Sequence, residues 1–285
     1  MPDFAANLST MFTELPFMQR FDAAARCGFS GVEFADPESV AEKELARRLR
    51  ECDLTLVAFN LPAGKSEQGE RGIACDPDRL LEFREGTRRA VDYAAAVGCR
   101  FLNCLAGALP RGDDNATASQ TIVENLRFAA GQALAAGITI LVEPVDTCTL
   151  PGSYLHGTAR AVSLLDTVAV RNLALLYDVF QMHAMGEAVG PTMARHLARI
   201  GHIQIAGRPD RTEPTDGEIG YQQLLGFIDR IGYRGWVGCE YFPSAGTEAG
   251  LGWMSRLKAL TSKNSCRWGI PLQALPPSMS ALALS

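Results

Sequence analysis

Four times along this chain a helix-period segment stops at a glycine and a short apolar run begins at once. Gly28 precedes GVEF, Gly98 precedes CRFLNCLAG, Gly137 precedes ITILVEP and Gly232 precedes GWVGCEY. A glycine just past a helix takes the left-handed conformation that ends it, and the strand then starts without a loop. Helices and strands alternating through such short joints imply a parallel sheet covered by helices.

Eight apolar runs fit strands: 4–10, 31–36, 54–60, 99–107, 138–144, 173–180, 201–207 and 235–243. The segments between them carry helical periodicity: 16–27, 42–51, 78–97, 118–136, 156–166, 193–198, 222–231 and 247–260. Eight strand–helix units in about 250 residues match the size of a (β/α)8 TIM barrel. The competitor is an open, doubly wound sheet, and it is disfavoured because no G-x-G-x-x-G follows the first run. The expected fold class is therefore α/β, a single (β/α)8 TIM barrel over residues 1–261. The last 24 residues, 262–285, contain three prolines and no acid, and read as a short irregular tail, disordered or draped over the barrel.

The bulk properties narrow the function. Of the 285 residues, 47% are hydrophobic and 21% charged, and the net charge is −5. That balance suits a globular protein and opposes one that holds nucleic acid by neutralising phosphates. No apolar run reaches membrane-spanning length, and the N-terminus has no signal-peptide pattern, so a cytoplasmic protein without membrane contact is expected. Eight cysteines include no C-x-x-C pair and read as reduced thiols, several of them in core segments.

The last four strand runs share a second feature, since each ends on one carboxylate or amide: Glu143, Asp178, Gln204 and Glu240. A charge that closes an apolar run is unfavourable without a partner. Four in succession, at the strand ends where TIM barrels place their active sites, look like converging ligands. Three carboxylates and an amide oxygen favour Mg²⁺ or Mn²⁺ over zinc, and a divalent cation reduces their summed charge from −3 to −1. Glu143 and Glu240, on nearly opposite strands, also suit proton removal and return at adjacent carbons.

The stretches FAANLSTMFTELPF, LTLVAFNLPAG, ITILVEP, LLYDVF, HIQIAGRPDRTEPTDGEIGY, GCEY and GTEAGLGW resemble the hydroxypyruvate isomerase family, within the xylose-isomerase-like TIM barrels. The resemblance spans residues 4 to about 260. It implies isomerisation of hydroxypyruvate to tartronate semialdehyde through a cis-enediolate, with Glu143, Asp178, Gln204 and Glu240 at the metal positions and Glu143 and Glu240 doing the acid–base work. The expected substrate is a small anionic 2-oxo or 2-hydroxy acid, and a homo-oligomer stays open. Relatives place a histidine three residues after the aspartate. This chain has Gln181 there and His183 two further on, and both are candidate substrate-binding residues. Arg211, in the loop after the seventh run, is the candidate clamp for a substrate carboxylate. After Glu240 the chain reads Tyr241-Phe242-Pro243-Ser244, where many relatives carry basic residues.

Three other activities fit parts of the pattern: a 2-oxo-tetronate isomerase, a ketose 3-epimerase and a non-catalytic metal- or sugar-binding barrel. An endonuclease-IV-like phosphodiesterase does not, because the four histidines, at 156, 183, 196 and 202, show no H-x-H or H-x-x-x-H ligand spacing.

Overall fold

The computed structural model describes residues 2–37, 40–109, 115–215 and 217–256. Its eight strands are β1 (Asp3–Asn7), β2 (Gly31–Glu33), β3 (Thr55–Asn60), β4 (Phe101–Leu105), β5 (Thr139–Glu143), β6 (Leu173–Asp178), β7 (Ile200–Ile205) and β8 (Trp236–Cys239). They form a closed barrel in sequence order. Closure is made by β1 pairing in parallel with β8, from Asp3 opposite Trp236 to Ala6 opposite Cys239. The expected TIM barrel is the observed fold.

Nine helices are described: α1 (Phe17–Arg26), α2 (Glu42–Glu51), α3 (Leu80–Val97), α4 (Asn115–Leu134), α5 (Thr158–Val168), α6 (Val179–Ala184), α7 (Val189–His196), α8 (Tyr221–Arg230) and α9 (Thr247–Gly250). The joint at Gly98 shows how the recurring glycine works. Gly98 sits at φ 76°, its N–H bonds to the Ala94 carbonyl, and the next strand begins three residues later.

Several elements end sooner than the sequence predicts, β1 at Asn7 and β2 at Glu33 among them, and two of these ends bear on the site. The sixth run was expected to stay extended to residue 180, but Val179 and Phe180 are helical. The Asp178 side chain accepts from the N–H groups of Phe180 (2.8 Å) and Gln181 (3.4 Å), which caps α6 and turns the chain off the sheet. The eighth run was expected to reach residue 243, yet β8 stops at Cys239. Glu240 adds one further ladder bond, donating its N–H to the Ile205 carbonyl at 3.1 Å, before the chain turns away.

The chain divides into two compact units, Met1–Leu251 and Gly252–Ser285. In the second, residues 252–256 are helical. The tail expected from residue 262 lies outside the described residues.

The barrel interior is packed rather than open. Ala5, Val57 and Ala58 form a buried cluster against which Phe101 and Trp236 pack. Gly31 makes room for this: a Cβ there would lie 2.6 Å from the Trp236 ring. Toward the C-terminal mouth the filling becomes polar, with Glu33, His202 and Gln204 all buried. Cys75, Cys99, Cys104 and Cys239 are buried free thiols, and burial pushes Cys99 and Cys104 up to about 12, which keeps them protonated and inert. Cys27 is only half-buried and Cys148 is exposed. Among the described residues, no helix is long and apolar enough to cross a membrane.

Candidate active site

Three carboxylates meet at the C-terminal mouth of the barrel. Glu143 is the last residue of β5, Asp178 the last of β6, and Glu240 follows β8 directly. One oxygen from each lies within 4.8 Å of the other two. Gln204, next to last in β7, points in from the same side. Its Nε2 donates to Glu33 Oε1 at 2.7 Å, while its Oε1 is buried with no hydrogen-bond partner among the described residues. A buried acceptor left open beside three crowded carboxylates is the arrangement an oxygen-ligated cation completes.

The charge in this space is visible in the proton affinities. Burial, with Glu240 and Asp178 close by, pushes the Glu143 carboxyl up to about 8, although a hydrogen bond from Asn103 Nδ2 (2.7 Å) to its Oε2 opposes the rise. Burial also pushes Glu240 up to about 7, against the pull of Arg211.

Arg211 is the counter-charge. Its Nη2 donates to Asp178 Oδ2 at 2.9 Å and to Glu240 Oε2 at 2.5 Å, and its guanidinium lies 4.9 Å from the centre of the Phe180 ring. Burial works against its charge, but Asp178 and Glu240 outweigh that and keep it cationic. A tight turn aims it inward: Gly207 N–H bonds to the Thr212 carbonyl, Phe242 N–H bonds to the Arg211 carbonyl, and Arg211 itself sits at φ 54°. The loop arginine expected to face substrate is thus drawn into the acidic cluster.

The two residues weighed for substrate contact part company. Gln181 is buried in the cavity wall, where its Oε1 accepts from the Asp146 N–H at 2.9 Å. His183 lines a separate outer pocket with Glu218 and Ile219. The reason is helical geometry: both lie on α6, and two residues of helix turn a side chain through about 200°.

Five further polar residues, none of them anticipated from the sequence, support the site. Glu33, at the end of β2, accepts from Asn7 Nδ2 (3.1 Å), Gln204 Nε2 (2.7 Å) and, on its other oxygen, pairs with His202 Nε2 (2.7 Å). Asn103, in β4, bridges Glu143 and Asn60 Oδ1 (3.1 Å). Asn7, Glu33 and Asn60 each close their own strand. The polar-ended strand therefore recurs in the first half of the barrel, and that is the signal through which they could have been found.

Glu143, Gln204, Arg211 and Glu240, with Glu33 and the three asparagines, line a cavity of about 410 Å³ whose wall also carries Phe34, Arg71, Thr149 and Phe242, while Asp178 and His202 lie buried behind it. The donor set fits a divalent cation: three carboxylates, an open amide oxygen, and an arginine already drawn to two of the acids. The cluster contains no histidine; His202, the nearest in sequence, is turned onto Glu33.

The profile of the family described as "Xylose isomerase-like TIM barrel" matches residues 21–257. The chain belongs to that family. Its similarity to characterised members is high over nearly their whole length. It is 45% identical over 251 residues to the hydroxypyruvate isomerase of Escherichia coli (strain K12), covering 88% of this chain and 97% of that one. It is 43% identical over 254 residues to a 2-oxo-tetronate isomerase of Cupriavidus necator, covering 89% and 98%. A crystal structure from Brucella melitensis, titled "AP endonuclease, family 2", superposes with a TM-score of 0.87 at 42% identity, covering 90% and 99%. This xylose isomerase-like barrel is an isomerase, as its curated relatives are.

Proposed function

We propose that the protein interconverts hydroxypyruvate and tartronate semialdehyde, with Mg²⁺ or Mn²⁺ held by Glu143, Asp178, Gln204 and Glu240. The observation that carries this reading is the open Gln204 Oε1 beside three carboxylates whose oxygens lie within 4.8 Å. It is joined by the identities of 45% and 43% to enzymes named for isomerising small 2-oxo acids.

When bound, the cation supplies Lewis-acid polarisation of the substrate ketone, which acidifies the neighbouring C–H. The remaining work falls to the protein's own groups. One glutamate of the pair Glu143 and Glu240 takes a proton from the hydroxymethyl carbon, leaving a cis-enediolate. A proton is then delivered to the former carbonyl carbon, and the hydroxyl proton moves between the two oxygens. Atoms and charge balance without any redox partner. Asn103 steadies Glu143 through the transfer.

The cavity favours a second substrate on the same chemistry. At about 410 Å³ it is much larger than a three-carbon acid requires, and a four-carbon 2-oxo-tetronate fits the same reacting end.

The test is proton NMR of hydroxypyruvate with the purified protein in D₂O, with Mg²⁺ and with EDTA. Conversion that needs the cation and places deuterium on the former carbonyl carbon is the expected result. Absence of conversion and exchange with either acid would remove the proposal.

A further inference from the structure

The reacting end of the cavity is described above, but a 2-oxo acid also brings a carboxylate, and that group needs a cation of its own. Among the described residues, two cationic side chains line the cavity, Arg71 and Arg211. Arg211 is engaged by Asp178 and Glu240. Arg71 is exposed and makes no ion pair or hydrogen bond through its side chain to any described residue.

Two features keep Arg71 available and in place. The first is the fate of its acidic neighbour. Glu70, one residue earlier, accepts from Arg79 Nη1 at 2.7 Å and from the Lys65 N–H at 2.6 Å, so it is neutralised from the other side. The second is a backbone clamp. Gly72 bridges Ala106 in antiparallel fashion, just beyond the end of β4, and its N–H bonds to the Ala63 carbonyl at 2.8 Å. Gly72 sits at φ 106°, and a Cβ there would lie 2.3 Å from the Leu105 carbonyl oxygen. Gly107 is equally confined, with a Cβ position 2.3 Å from the Gly72 carbonyl oxygen. Two glycines pressed face to face fix the loop against the strand beside the one that carries Glu143.

We infer that Arg71 is the specificity-determining clamp that binds the substrate carboxylate from the β4 side of the cavity, while Arg211 serves the acidic cluster on the β6–β8 side. This rests on the 2-oxo acid reading above and deepens it. A guanidinium presents two parallel N–H donors to a carboxylate, and on a glycine-locked backbone less freedom is lost in forming them. A substrate held this way lies across the mouth, with its carboxylate toward Arg71 and its reacting carbons over Glu143 and Glu240.

Steady-state kinetics of the Mg²⁺-loaded full chain with hydroxypyruvate, for the wild type, Arg71→Gln and Arg71→Lys, tests the assignment. Arg71→Gln is expected to raise KM about 10- to 100-fold, with kcat within about twofold. Arg71→Lys restores part of the loss. Mn²⁺ affinity measured by titration calorimetry stays at the wild-type value in both variants, because Arg71 touches none of the cluster. An unchanged KM in Arg71→Gln, or a fall in Mn²⁺ affinity, overturns the clamp while leaving the isomerase reading standing. A wild type that ignores three- and four-carbon 2-oxo acids but turns over a neutral ketose overturns that reading, and the clamp with it.

Discussion

Glu33 and Gln204 are joined by a 2.7 Å hydrogen bond in which the amide nitrogen donates and the carboxylate accepts. A carboxylate has no proton to give, so this bond decides which end of the Gln204 amide faces Glu33 and leaves Oε1 as a buried acceptor unpaired among the described residues. An amide is an ambiguous ligand, donor at one end and acceptor at the other, and Glu33 removes the ambiguity.

Glu33→Gln therefore weakens the cation site without touching it. The new amide accepts or donates, Gln204 is free to turn over, and Mn²⁺ affinity falls about tenfold. Titration calorimetry measures this, with circular dichroism to show an intact barrel. An affinity equal to the wild type would mean that Gln204 is oriented by something else.

Glu240→Gln keeps the shape of the mouth and removes a proton carrier. Turnover at saturating Mg²⁺ falls by about 10²- to 10⁴-fold while circular dichroism shows an intact barrel. Near-normal turnover would take Glu240 out of the acid–base pair.

Arg211→Ala leaves three carboxylates without their cation in the metal-free protein. The EDTA-treated variant melts on the order of 5 °C below the wild type. Adding Mg²⁺ raises its midpoint by more than it raises that of the wild type, because the divalent ion supplies the missing charge. Equal responses to Mg²⁺ would contradict the counter-charge role of Arg211.

The metal-free protein also has a pH signature. Glu143, pushed up to about 8, keeps its proton in the folded state over a range where the unfolded chain has lost it. The folded state then binds more protons than the unfolded one, so stability declines as pH rises from about 4.5 to 8. Denaturant midpoints in EDTA across that range show the slope, and Glu143→Gln reduces it, leaving the part that Glu240, pushed up to about 7, contributes. A slope of the same size in the variant would place its origin elsewhere.

The barrel was legible because glycine-ended helices and apolar runs are set by local chemistry, and eight of them leave few folds to choose from. Glu143, Asp178, Gln204 and Glu240 were legible for a related reason, since a charge or amide ending an apolar run stands out against its neighbours. Glu33 did not stand out. It lies inside GVEF, flanked by Val32 and Phe34, and its partners Asn7, Gln204 and His202 are distant in sequence. Asn7, Asn60 and Asn103 are neutral and occur freely in loops, so each alone carries little signal. The end of β6 was misjudged because LLYDVF is apolar on both sides of Asp178, and only the capping bonds show that the chain turns there. Arg71 follows a loop rather than a strand, so periodicity says nothing about it.

The pairing of β1 with β8 has a consequence for how the protein is made. β1 acquires its second neighbour only when residues near 239 have emerged from the ribosome, so until then it waits with one edge open. Glu240 arrives with that last strand. A chain interrupted before β8 can carry Glu143, Asp178 and Gln204, but it lacks both the closing edge and the final carboxylate. Assembly of the three-carboxylate cluster is thereby tied to completion of the barrel.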